Sequence, residues 1–319
     1  MNRKLDELLG RAPLTAAFLA GCIAYFVFLA LQNDAYVAAE NARGDLFNFN
    51  IEVLRAYGAS YREAVWAGGW RHLVMPIFMH GGLLHIVFNM WSLYAIGPSV
   101  ETHFGSANFG TIYLVSGVGG VCFSLVFGGY TSVGASGALF GLLGAGLSVH
   151  LIRQWDWRRA LKSSDVRQSA LVIALLFGIT ALMDHVDVWG HLGGLVFGTL
   201  FGCLFEYWRK HQRIGWVLIA LFLAVWAGGI AAARWTVFHP HYQVFCGIEA
   251  DKRGERHEAE AHFEAARYWS KRFKSRNASL AVLEELKKAL QDGDEERIQR
   301  YQRLFVYLSA GTDEASYLE

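Results

Sequence analysis

The sequence predicts an all-α fold, a polytopic helical bundle built to sit in a membrane. Seven apolar stretches, about 14–32, 83–101, 107–128, 136–152, 169–184, 189–206 and 214–233, meet or approach the roughly 20 residues that span a bilayer. Hydrophobic residues make up 54% of the 319 positions and charged residues 18%, with 34 glycines and 11 tryptophans, a balance that suits lipid better than water. Lysine and arginine gather in alternate connections, as they do when loops are sorted across a membrane. The net charge of +1 gives no reason to expect a nucleic-acid partner.

Each element follows in order. Residues 1–13 carry Arg3, Lys4 and Arg11 and form a cytoplasmic N-terminus ahead of the first span. That span is longer than the apolar core of a signal peptide, about 7–15 residues, so an uncleaved anchor is expected. A long connection, 33–82, is amphipathic (Phe47, Phe49, Ile51, Val53, Leu54, Trp66, Trp70) and is expected on the membrane surface. Spans two to six then follow with short links, closing a six-helix core over 14–206. The link between spans four and five holds Arg153, Arg158, Arg159, Lys162 and Arg167, whereas 129–135 and 184–188 hold no Lys or Arg. The N-terminus is therefore expected in the cytoplasm. Residues 207–239 supply a linker and a seventh transmembrane helix, which puts the helical tail 240–319 outside. Within the tail, Gly247, Ala250, Gly254, Ala259, Phe263 and Ala266 follow the small/large spacing of one tetratricopeptide-like helix pair at 247–270. The next 34 residues do not repeat it clearly. Cys22, Cys122, Cys203 and Cys246 suggest neither a disulfide framework nor a metal site and read as packing residues.

Polar side chains inside spans are costly and usually line a bundle interior or a wet site. Span two carries His85 and Asn89, with His80 just before it; span four opens on Ser136 and span six on His191. Spans two, four and six run in the same direction, so these groups converge at one end of the bundle. Gly137, Gly141 and Ala145 place a small residue every fourth position of span four, and Gly194, Gly198 and Gly202 do so for span six. Small residues at that spacing let helix backbones approach closely in lipid. If the two stripes pack, Ser136 and His191 meet. A serine hydroxyl becomes a nucleophile when a histidine takes its proton, and acyl transfer also needs donors aimed at the developing oxyanion. His85 and Asn89, four apart on one helix face, supply such donors, as does the Ser136 amide.

These residues resemble a known family. Gly134-Ala135-Ser136-Gly137-Ala138-Leu139-Phe140-Gly141 looks like the nucleophile motif of rhomboid proteases. Gly190-His191-Leu192-Gly193-Gly194, followed by Gly198, looks like their histidine motif. Met79-His80 leading to His85 and Asn89 resembles their oxyanion segment, and Trp70-Arg71 resembles the Trp-Arg pair of their first loop. The resemblance covers roughly residues 10–206 and implies a six-helix rhomboid core in which a Ser136–His191 dyad works without an acidic third member. It further implies an oxyanion hole of His85, Asn89 and the Ser136 amide, and a ring from Phe140 stacked on the base. Trp70, Arg71 and Glu101 would have structural roles.

The function expected is intramembrane endopeptidase activity on single-span or other membrane proteins within the lipid bilayer, with no metal and no cofactor. The expected setting is a plasma or bacterial inner membrane. Motion of span five, or of 129–135, would admit the substrate, and the tail offers a surface for protein contact. Asp184 and Asp187 lie near His191 in sequence but read as solvated loop carboxylates. Gly58-Ala59-Ser60 repeats three letters of the nucleophile motif with no apolar helix after it. A non-catalytic rhomboid-like binder would be expected to lack Ser136 or His191; a seven-span receptor or transporter would leave the polar cluster a coincidence.

Overall fold

The computed structural model describes residues 10–128, 131–154, 157–182, 186–210, 240–273 and 277–309, with a few positions between 220 and 231. The expected seventh span, 214–233, and Asp184 lie outside these residues for the most part or altogether. The chain divides into two units, residues 1–234 and 235–319.

The first unit is helical. α1 (Pro13–Glu40) opens on proline, whose fixed φ suits a first helical position, and ends at Asn41 in the left-handed conformation. It runs well beyond the expected end at 32. Three short helices follow, α2 (Ile51–Ala56), α3 (Arg62–Trp66) and α4 (Arg71–Val74), then a 3₁₀ turn at Met75–Phe78. This connection folds back on the bundle, burying Phe49, Val53, Leu54, Val65, Ile77 and Met79 while Phe47 and Trp70 stay exposed. Two buried polar side chains hold it. Arg62 Nε donates to the Leu125 carbonyl at 2.7 Å, and His72 Nδ1 lies 2.7 Å from the Ala59 carbonyl.

The larger helices are α5 (Leu83–Phe104), α6 (Ser106–Phe123), α7 (Ser136–Gln154), α9 (Ser164–Ala181) and α10 (Val188–Lys210), with the short α8 (Trp157–Lys162) between α7 and α9. Among the described residues five helices, α1, α5, α6 with its extension, α9 and α10, are long and apolar enough to cross a membrane; α7 is a shorter apolar helix at Ser136–Ile152. The protein is an integral membrane protein with an all-α bundle. α6 is its centre, 78% buried over its apolar window against 11% for α9, so α6 is wrapped by protein and α9 is left to lipid. α6 ends in a π turn, Ser124–Gly128, whose Leu125 and Val126 carbonyls face Arg62. Such turns free backbone groups that a nearby donor can satisfy.

α7 and α10 form the tightest pair. A β-carbon at Gly194 would stand 1.9 Å from the Gly137 carbonyl oxygen, and one at Gly198 2.0 Å from that of Gly141. Gly202 meets Ala145 in the same way at 2.7 Å. Matching positions advance together along both helices, so the two run parallel. At the opposite end of the bundle the buried Glu101 carboxylate accepts from Leu14 N, Thr15 N, Thr15 Oγ1 and Ser106 Oγ at 2.6–2.9 Å, joining α5 to the starts of α1 and α6. The four cysteines are free.

The second unit contains α11 (Pro240–Lys252), α12 (Arg256–Phe273), α13 (Asn277–Asp292) and α14 (Glu295–Ser309). Gly247 packs directly on the Phe263 ring, the small/large contact that the spacing suggested. A second helix pair, α13 and α14, joins the same core through Val282, Leu286, Tyr301 and Leu304, although the sequence showed no clear repeat there. Its cohesion differs from the first unit's. Amphipathic helices bury one apolar stripe and keep ion pairs such as Lys288–Glu285 outside it.

Candidate active site

Ser136 is the first residue of α7 and His191 lies in the first turn of α10. The glycine-lined seam brings these helix starts together, and Ser136 Oγ stands 2.8 Å from His191 Nε2. The imidazole is 4% exposed. Phe140, one turn after the serine, stacks on it with ring centroids 4.6 Å apart and planes 21° from parallel.

The other ring nitrogen has a partner that the sequence did not reveal. His191 Nδ1 lies 3.3 Å from Thr180 Oγ1, on α9. The Thr180 hydroxyl donates its single proton to the Phe177 carbonyl at 3.0 Å, so towards His191 its oxygen can only accept. With that arrangement a hydrogen on Nδ1 has an acceptor in Thr180 and the Nε2 lone pair faces Ser136. This is the tautomer a general base requires.

The oxyanion candidates arrive from α5. A β-carbon at Gly134, where φ is +128°, would lie 2.6 Å from His85 Nε2 and 3.6 Å from Ser136 Oγ. Only a residue without a side chain lets the His85 ring lie so near Ser136. Asn89 is 6% exposed and spends one amide hydrogen on the His85 carbonyl at 2.9 Å. An amide carries two, so one is left over. His80 is buried behind His85, edge-on to its ring at 5.1 Å, and neither of its ring nitrogens makes a hydrogen bond of normal geometry.

The remaining predicted residues lie elsewhere. Gly194 and Gly198 are in the seam below the dyad. Trp70 is exposed, and Arg71 reaches His72 at 3.2 Å and the Ala56 carbonyl at 3.4 Å, inside the first connection. Glu101 is at the other end of the bundle, as described. Ser60, in the decoy Gly58-Ala59-Ser60, pairs by backbone with Ser132.

Asp187 corrects one expectation: it is not a free solvated carboxylate. Its oxygens accept from Gly190 N at 2.9 Å and Ser132 Oγ at 2.6 Å. The first is the signature of a helix cap, readable in principle from an acidic residue just before an apolar helix. Among the described residues no group of three His, Cys, Asp or Glu side chains converges as a metal site would need.

The sequence is similar to known proteins. The family model for the Rhomboid domain matches residues 67–208. The chain is 32% identical over 211 residues to RHOMBOID-like protein 6, mitochondrial, of Arabidopsis thaliana, covering 60% of this chain and 68% of that one. This chain belongs to the rhomboid family. It is also 36% identical over 173 residues to Rhomboid protease GluP of Bacillus subtilis (strain 168), covering 54% of this chain and 33% of that protein. To RHOMBOID-like protein 1 of Arabidopsis thaliana it is 42% identical over 218 residues, 66% of this chain and 52% of that one. This rhomboid thus spans about a third and a half of the length of these last two relatives. Ser136, His191, His85 and Asn89 all fall inside the matched domain.

Proposed function

We propose that this rhomboid is an intramembrane serine endopeptidase that cuts membrane proteins in or beside a transmembrane segment. The observation that carries the proposal is the 2.8 Å contact between Ser136 Oγ and His191 Nε2, with Nδ1 3.3 Å from the Thr180 hydroxyl.

The chemistry follows from those atoms. His191 Nε2 takes the hydroxyl proton as Ser136 Oγ attacks the scissile carbonyl carbon. Charge then develops on the carbonyl oxygen, where the spare Asn89 N–H, the His85 ring and the Ser136 amide supply donors. Donors of this kind are each worth about 10²–10³ in rate. Collapse of the intermediate expels the amine, which His191 protonates. Water then attacks the acyl-serine with the same base, releasing the second product and restoring both residues. A substrate helix must unwind to present its carbonyl, because a helical carbonyl is committed to its own backbone. The loosely held α9 offers a side from which it could enter. The distribution of Lys and Arg supports a cytoplasmic N-terminus and an active site opening to the other face.

A fluorophosphonate probe tests the chemistry. Wild type is expected to label and Ser136→Ala to remain unlabelled. Equal labelling of the two contradicts the reading. Binding of membrane proteins without labelling or cleavage would identify a non-catalytic binder instead.

A further inference from the structure

We propose that Asp187 is a positioning residue, the anchor of a clamp that holds the segment before the nucleophile against the helix that carries the base. The inference rests on the peptidase reading above and adds to it a group that touches neither reacting atom.

The clamp has two arms from one carboxylate. One oxygen accepts from Gly190 N at 2.9 Å and closes the first turn of α10. The other accepts from Ser132 Oγ at 2.6 Å, in the segment leading to α7. Ser132 lies four residues before Ser136, and Asp187 four before His191. The hydrogen-bonded pairs Ser132–Asp187 and Ser136–His191 therefore have the same sequence separation, 55 residues. The first pair joins the residues just before the two helices whose starts the second pair joins.

The segment 131–135 has no regular secondary structure and depends on such ties. Ser132 exchanges two backbone hydrogen bonds with Ser60, at 2.8 and 2.9 Å, and Gly134 N donates to the Pro76 carbonyl at 2.9 Å. Both of those partners belong to the first connection. Asp187 supplies the tie to the base-bearing helix. A hydrogen bond to an ionised acceptor is shorter and stronger than a neutral one, which suits a single contact holding two elements in register. The seam glycines fix the helices below the dyad. Asp187 fixes the loop above it.

Two alternatives are separable. A carboxylate acting as a third catalytic member would touch the imidazole, but Nδ1 faces Thr180 instead. A simple helix cap would not need Ser132. The test therefore centres on Ser132→Ala, which leaves the cap intact, alongside Asp187→Ala and the double variant. The full-length chain in proteoliposomes is assayed for kcat and KM on a single-span substrate. Ser132→Ala is expected to lower kcat about tenfold and Asp187→Ala between about tenfold and a hundredfold, with KM little changed, since small displacements of reacting groups cost rates of this order. In the Asp187→Ala background, Ser132→Ala is expected to add nothing, the mark of a shared interaction. Asp187→Asn, which can still cap and hydrogen-bond, is expected to recover part of the loss.

Wild-type kcat in Ser132→Ala, or losses that simply multiply in the double variant, overturns the clamp while leaving the peptidase reading intact. A wild-type chain that cleaves nothing overturns that reading and the clamp with it. If Asp187→Ala does not fold, Ser132→Ala and Asp187→Asn still decide the matter.

Discussion

The α7–α10 seam and the inner face of α9 hold the same imidazole from two sides, by opposite means. In the seam, backbones touch through glycine, and there is no room to yield. A β-carbon at Gly194 or Gly198 would meet a backbone carbonyl oxygen of α7 at 2.0 Å or less. α9 instead turns Leu171, Leu175 and Ile179 outwards and reaches His191 through one threonine hydroxyl. The difference separates two needs. Under the proposed function, Ser136 and His191 must stay in register, whereas a substrate must get in. Rigid contact serves the first, and a helix held by few contacts serves the second.

The largest effect is expected from breaking the rigid side. Gly198→Val must push α10 away from the Gly141 carbonyl, 2.0 Å from the added carbon, and so withdraw His191 from Ser136. Cleavage should fall at least about a hundredfold, because a displacement near 1 Å is worth that much. Thermal unfolding in detergent should show a lower Tm as well. Near-normal activity would mean that the seam does not set the register.

A third wall sharpens the comparison. Asn89→Ala removes the proposed oxyanion donor from α5 without disturbing either helix of the seam. The expectation is a kcat loss of about 10²–10³ with substrate affinity retained, read from steady-state kinetics. Fluorophosphonate labelling should slow in parallel, because that adduct also places an oxygen in the hole. A rise in KM at constant kcat would assign Asn89 to binding instead.

Smaller effects belong to α9. Thr180→Val keeps the shape but removes the hydroxyl beside His191 Nδ1, and activity should drop severalfold, about the worth of one ordinary hydrogen bond. Thr180→Ser should restore it. Smallest of all, Leu175→Ala on the lipid-facing side should leave the rate of labelling unchanged. If Leu175→Ala slowed labelling as much as Thr180→Val, α9 would be a packing element of the site rather than a loosely held wall.

Much of this architecture is legible in the chain itself. Six of the seven apolar stretches correspond to α1, α5, α6, α7, α9 and α10. The shared direction of spans two, four and six was enough to gather His85, Asn89, Ser136 and His191 at one end. The glycine stripes named the seam because a glycine every fourth residue has few other uses in lipid.

What stayed hidden has a common physical cause. Thr180 sits in an apolar run where threonine is unremarked, and its value depends on a neighbouring helix. Ser132 and Asp187 lie in loops, where polar residues are the rule and a buried contact leaves no periodic trace. Arg62 and His72 organise the first connection through backbone carbonyls, whose positions no side-chain pattern records. The second helix pair of the tail was missed because its core uses tyrosine and leucine where the first uses glycine, alanine and phenylalanine.

The most direct measurement is cleavage of a single-span membrane protein by the purified chain in liposomes, with the cut located by mass spectrometry. A peptide bond broken in or beside the substrate's transmembrane segment, and left whole by Ser136→Ala and by His191→Ala, is the predicted result. The same fragment from Ser136→Ala at the wild-type rate would contradict it.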